Sequence, residues 1–273
     1  MTPILATIIS LSMIFIATTL GALGVFLTKK NISTKVNGII LGFASGIMVA
    51  AALFGLLVPS IDQGKEFYKE FNFIPVVFGF ILGGLLLFSL DRIVPHIHLS
   101  NKNHEEGIKT RGVSKTTKFF LAVTLHNIPE GLAVGFACGL IFSALDTGTS
   151  AEINTLMFSA IGLAIGISIQ NIPEGLAVAI PLVQEENFSR RKAFVFGMLS
   201  GVVEPIFGIA AVLLSQSISW LMPWLLSFAG GAMIYAVVED LMPDFQKSDH
   251  PHYGIWAFMI GFAIMMVLEV VLG

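Results

Sequence analysis

Eight apolar stretches follow one another along the chain, at roughly 4–27, 36–58, 74–94, 118–143, 155–182, 193–216, 222–243 and 254–272, with polar connections between them. Each is long enough to cross a bilayer, which takes about 20 mostly apolar residues. The predicted fold class is therefore all-α: a polytopic membrane protein with eight transmembrane helices and one domain over residues 1–273. The first stretch begins without a basic region and is not followed by a convincing cleavage site. It is read as a retained transmembrane helix, not a signal peptide.

The fourth and fifth stretches break their apolar pattern in the same way. His126-Asn127-Ile128-Pro129-Glu130-Gly131 and Gln170-Asn171-Ile172-Pro173-Glu174-Gly175 share x-Asn-Ile-Pro-Glu-Gly, and both continue into Leu-Ala-Val. An ionisable group at membrane depth is costly and marks an ion or substrate path. On a helix, His126 and Glu130 share a face, as do Gln170 and Glu174, while Asn127 and Asn171 neighbour the same glutamates three positions on. Pro129 cannot donate to the carbonyl of Leu125, nor Pro173 to that of Ile169, so a kink is expected at each. The freed carbonyls need partners. If the two helices cross at their motifs, two carboxylates, an imidazole, two asparagines and a glutamine converge. Such a set is suited to a metal ion.

Composition agrees. The 273 residues are 55% hydrophobic and 12% charged, with mean hydropathy +0.85, against about 25% charged in an average soluble domain. The single cysteine, Cys138, excludes an intrachain disulfide and says nothing of redox compartment. Basic residues give the orientation. Thirteen of the 15 Lys and Arg fall in the connections after odd-numbered segments, so that side is expected in the cytoplasm and both termini outside. Glycines four apart, such as Gly42/Gly46, Gly79/Gly83 and Gly131/Gly135, predict close helix packing.

Ligand type narrows the ion. Imidazole with carboxylates suits borderline divalent ions such as zinc, iron or nickel; His126 argues against magnesium and calcium, which prefer oxygen alone. Neither motif holds a cysteine, which argues against a closed structural zinc site. Glu204, mid-segment with Pro205 after it, is a third acid expected in the site.

With these features the chain resembles the ZIP family of divalent metal transporters, in its prokaryotic GufA-like branch. The resemblance covers nearly the whole chain. It implies zinc-selective or broader divalent uptake into the cytoplasm, through a dinuclear site between helices four, five and six. One metal would rest on His126, Glu130, Gln170 and Glu174, with Met48 on segment two adding a sulfur. The second would rest on Asn127, Glu130, Asn171, Glu174 and Glu204. The resemblance further implies an elevator-like motion, in which helices one, four, five and six carry the metal past a scaffold of two, three, seven and eight. It also suggests a homodimer. Two departures stand out: Asn171 occupies a position where several members have Asp, and Glu239-Asp240 replaces a common His-Glu.

Further candidates lie nearer the surface. Glu239 and Asp240 are expected as an exit relay at the cytoplasmic end of segment seven, and Glu269 as an interfacial acid near the end of segment eight. His96, His98 and His104, in the cytoplasmic connection at about 95–117, offer weak loop metal sites. No cofactor is expected; the metal is cargo, zinc first, with iron, manganese and cadmium as alternatives. A channel-like pore stays open as a different mechanism. A zinc-dependent intramembrane hydrolase would want His-Glu-x-x-His, whereas here Asn127 follows His126 and Glu occupies position 130, so an enzyme is not expected. The other expected partner is lipid, with no nucleic acid, and the location is the inner or cytoplasmic membrane.

Overall fold

The structure is a computed structural model that describes residues 1–27, 33–93, 115–145, 148–184, 188–217, 219–246 and 250–272. His96, His98 and His104 lie outside these residues, as do the side chains of His126 and Asp240. The helices are α1 (Pro3–Leu23), α2 (Thr34–Ala50), α3 (Val58–Tyr68), α4 (Phe73–Ile93), α5 (Lys115–Ser143), α6 (Ser150–Gln184), α7 (Arg190–Gly201), α8 (Val203–Ser217), α9 (Met222–Ala236), α10 (Met242–Gln246) and α11 (Pro251–Leu272). All eight expected segments are helical. Among the described residues seven helical runs are long and apolar enough to cross a membrane, and α5 supplies a shorter apolar stretch, Asn127–Ser143.

Prolines explain where the helices depart from the expected spans. Segment two continues past its expected end: α2 passes through a π-helical stretch, Ala51–Leu57, into α3. Segment seven likewise passes from α9 through π-helical Val237–Leu241 into α10. Pro59 and Pro243 follow these stretches and lack the N–H that would bond Gly55 and Glu239, so the backbone adopts a wider turn. Segment six divides at Val202 into α7 and α8, just ahead of Pro205. The motif helices behave differently. Both α5 and α6 run as continuous helices through Pro129 and Pro173.

Small residues set the pairing. A Cβ on Gly42 or Gly46 would collide with backbone carbonyls of Gly254 and Phe258, which joins α2 to α11. In the same way Gly83 meets Phe228 of α9, Gly131 meets Glu204 of α8, and Gly175 meets Thr18 of α1. Residues further along one helix meet residues further along its partner, as Gly42 meets Gly254 and Gly46 meets Phe258, so the paired helices run parallel. Four parallel pairs result: α1 with α6, α5 with α8, α2 with α11, and α4 with α9. The first two pairs make one group and the last two another, and the seam between them is formed by α6 against α2 and α11, and by α5 against α9.

This pairing has an internal symmetry. Exchanging the first three segments for the last three, and segment four for five, maps every pair onto another pair with the chain direction reversed. The two π-helical stretches fall on exchanged segments, two and seven. The repeated motif thus belongs to an inverted repeat.

Apolar side chains fill the centre. Ile14, Met48, Leu56, Phe136, Leu163, Ile167 and Met233 form one buried cluster drawn from both groups of helices. Glu269 is buried on α11, beside Gly55, where a Cβ would stand 3.0 Å from its Oε1. The small residue in the π-helical stretch makes room for it.

Candidate metal centre

The repeated hexapeptide places its polar groups where four helices meet. Gly131 lets α8 approach at Glu204, and Gly175 lets α1 approach at Thr18. Each glycine follows its motif glutamate by one residue, so the close approach and the acid occur at the same level of the bundle. Asn127, Glu130, Gln170, Asn171 and Glu204 are all buried, Glu130 and Glu204 completely (0 % exposed). Glu174 is half-buried.

Two hydrogen-bonded groups share Asn171. In the first, Gln170 Nε2 donates to Glu130 Oε1 (2.7 Å) and to Asn171 Oδ1 (2.6 Å). In the second, Asn171 Nδ2 donates to Thr18 Oγ1 (3.0 Å), and Thr18 Oγ1 donates to Glu204 Oε1 (2.7 Å), which also accepts from Asn127 Nδ2 (3.2 Å). Glu130 interacts electrostatically with Glu174 and Glu204, and Glu204 with Glu174. Glu130, Glu174 and Glu204 thus lie within electrostatic reach of one another.

The repeat is visible in the hydrogen bonds themselves. Asn127 Nδ2 donates to Ser200 O (3.0 Å) and to the Glu204 carboxylate one turn later. Asn171 Nδ2 donates to Ile14 O (3.4 Å) and to the Thr18 hydroxyl one turn later. Each motif asparagine spans one turn of its partner helix in the same manner.

The cluster is rich in oxygen that finds no donor. Asn127 Oδ1, Glu130 Oε2, Gln170 Oε1 and Glu204 Oε2 are buried acceptors without a hydrogen-bond partner. Native interiors leave few such atoms. Four in one cluster form a set of hard ligand oxygens that a cation would satisfy. Among the described residues no three His, Cys, Asp or Glu side chains are gathered closely enough to hold an ion unaided. Amide donors and a hydroxyl stand between the acids, and His126, whose side chain lies outside the described set, is not part of that comparison.

The remaining candidates are spread out. Met48 is buried on α2, in the apolar cluster that joins the two groups of helices. Glu239 lies on the π-helical stretch after α9 and is exposed. Thr18 is the residue the sequence did not single out. It is one hydroxyl in an apolar helix, and only the repeat relation between segments one and six would have marked it.

Comparison with known proteins agrees with this architecture. The model of the ZIP zinc transporter family matches residues 4–118 and 116–269. The chain is 35% identical to zinc transporter GufA of Myxococcus xanthus over 262 residues, covering 94% of this chain and 95% of that protein. It is 33% identical to zinc transporter ZIPB of Bordetella bronchiseptica over 95% of this chain and 79% of that protein. It is 32% identical to human zinc transporter ZIP11 over 85% of this chain and 87% of that protein.

Proposed function

Because the chain belongs to the ZIP zinc transporter family, we propose that it carries divalent metal cations, zinc foremost, across a membrane into the cytoplasm. The observation that carries this reading is the buried polar cluster around Glu130 and Glu204, in which four oxygens of Asn127, Glu130, Gln170 and Glu204 find no hydrogen-bond donor. Acids inside a bilayer are tolerated where opposite charge compensates them, and a transported cation supplies that charge.

In this reading His126, Glu130, Gln170 and Glu174 hold a first ion, with Met48 from α2 as an additional ligand. Asn127, Glu130, Asn171, Glu174 and Glu204 hold a second, and the two motif glutamates bridge. An ion arriving from outside sheds water stepwise onto these groups. Mixed amide and carboxylate ligation, without thiolate, lets it leave again. Glu239 and Asp240 receive it near the cytoplasmic end, and His96, His98 and His104 act as loop sites beyond them. Iron, manganese and cadmium are secondary cargo, because ligand type alone does not separate them from zinc.

The pairing of α1 with α6 and of α5 with α8 supports a carrier group that moves as a unit against α2, α4, α9 and α11. Alternating access would then be an elevator-like displacement of one group along the seam. The basic connections support an orientation with both termini outside, in a cytoplasmic or inner membrane. The exposed apolar side chains of α4 and α11 meet lipid, and a homodimer belongs to the same reading.

The test is uptake into proteoliposomes against a panel of competing divalent ions, on wild type and Glu174→Ala. Saturable zinc uptake in the wild type that Glu174→Ala abolishes is expected. Ohmic multi-ion currents would replace the carrier with a pore, and normal uptake by Glu174→Ala would overturn the bridging site.

A further inference from the structure

We infer that Thr18 is the counterpart of Glu204 in the opposite half of the repeat, and a positioning residue for the ion. This rests on the transport reading above. The equivalence is read from three contacts on each side. Gly131 abuts the backbone carbonyl of Glu204, and Gly175 abuts that of Thr18. Asn127 bonds the Glu204 side chain and the carbonyl four residues before it; Asn171 bonds the Thr18 side chain and the carbonyl four residues before it. One half of the repeat offers a carboxylate at this place, the other a hydroxyl.

The hydroxyl behaves unlike its neighbours in α1. Thr7 and Thr19 donate to carbonyls of their own helix, Pro3 O at 3.0 Å and Phe15 O at 2.9 Å, the ordinary outlet for a mid-helix threonine. Thr18 has the same outlet in Ile14 O at 3.2 Å, but its shorter contact is the Glu204 carboxylate at 2.7 Å. A hydroxyl carries one hydrogen, and the charge-assisted bond is the stronger. Thr18 is 1% exposed, so water does not compete.

That single hydroxyl orients two groups. With Asn127 it occupies Oε1 of Glu204, which leaves Oε2 as the oxygen without a protein partner. By accepting from Asn171 Nδ2 it helps to hold the Asn171 amide with Oδ1 toward Gln170. Without it, the Asn171 amide keeps only the longer bond to Ile14 O and the one from Gln170 Nε2, and its NH2, a donor that opposes a cation, is held less firmly away from the ion. Thr18 therefore acts on ion affinity through Glu204 and Asn171.

The experiment uses the full chain in proteoliposomes, with zinc uptake kinetics on wild type, Thr18→Val, Thr18→Ala and Thr18→Ser, and on Thr18→Val combined with Glu204→Ala. Losing a hydrogen bond to a charged group predicts a KM for zinc raised about tenfold or more in the Val and Ala variants, with maximal rate held within about twofold. Thr18→Ser keeps the hydroxyl and restores the wild-type KM. In the Glu204→Ala background the Val substitution changes KM by less than about threefold, because its principal partner is gone. The zinc-induced rise in unfolding temperature in detergent follows the same order and serves for any variant that reconstitutes poorly. An unchanged KM in Thr18→Val and Thr18→Ala, a Ser variant as impaired as Val, or an undiminished effect in the Glu204→Ala background would each overturn the inference alone. Failure of wild-type uptake would overturn the transport reading and this inference with it.

Discussion

A single amide nitrogen, Gln170 Nε2, lies within hydrogen-bond distance of both Glu130 Oε1 and Asn171 Oδ1, at 2.7 and 2.6 Å. Those two oxygens come from different motifs and are both proposed ligands. The amide donates to them where a cation would attract them, and its own Oε1 is left buried without a donor. Rotating the amide exchanges a donor for an acceptor at the same place. The glutamine can therefore hold the two oxygens together without an ion and join Glu130 as a ligand of the first ion when one is bound.

Truncating this side chain should expose both roles. Gln170→Ala leaves the Glu130 and Asn171 oxygens without their donor, at a cost of about 1–3 kcal/mol to the folded protein. It also removes one ligand. A lower unfolding temperature without zinc, together with weaker zinc affinity, is the expected pair of results, read by thermal unfolding in detergent and by uptake. An unfolding temperature equal to the wild type's would contradict the first role.

Glu130 and Glu174 are asked to serve two ions, Glu204 one. Glu130→Ala and Glu174→Ala should abolish high-affinity uptake, whereas Glu204→Ala should reduce the bound metal to about half its wild-type stoichiometry and spare the first ion. Metal analysis of the purified variants after equilibrium dialysis separates these outcomes. Loss of all metal in Glu204→Ala would require Glu204 to serve both ions.

Protons compete for the same lone pairs. Carboxylate and imidazole ligands bind metal only when deprotonated, so acidification opposes loading and loading releases protons. Zinc uptake should fall as the external solution passes from neutral to mildly acidic, with membrane potential clamped. Uptake that stays flat over this range would be inconsistent with carboxylate ligation.

The motif glycines are a steric requirement. A Cβ at Gly131 would overlap the carbonyl of Glu204, and one at Gly175 the carbonyl of Thr18. Backbone atoms cannot turn aside as a flexible side chain would, so the helices must separate. Gly131→Ala and Gly175→Ala should each cost about 1–3 kcal/mol by over-packing and lower uptake more than the unfolding temperature alone explains, because Asn127 and Asn171 lose register with Glu204 and Thr18. The comparison of transport rate with thermal stability for the two variants checks this.

Periodicity and charge were enough to place eight helices, because bilayer thickness fixes the length of an apolar run and unpaired acids inside it have few explanations. Within each repeated hexapeptide, spacing put Asn127 beside Glu130, and Gln170 and Asn171 beside Glu174, since a helix carries its three- and four-residue neighbours on one face; that the two motifs meet was only a condition. Glu204 was legible as a lone acid beside Pro205. The chain alone did not decide which helix meets which. That choice was made by backbone contact at Gly42, Gly83, Gly131 and Gly175, a matter of shape between distant segments. Tertiary structure likewise buried Glu269 beside Gly55 and brought Thr18 within 2.7 Å of Glu204. A threonine in an apolar helix has no local signal of purpose. Its hydrogen-bond partner lies 186 residues away, and only folding brings the two halves of the repeat into contact.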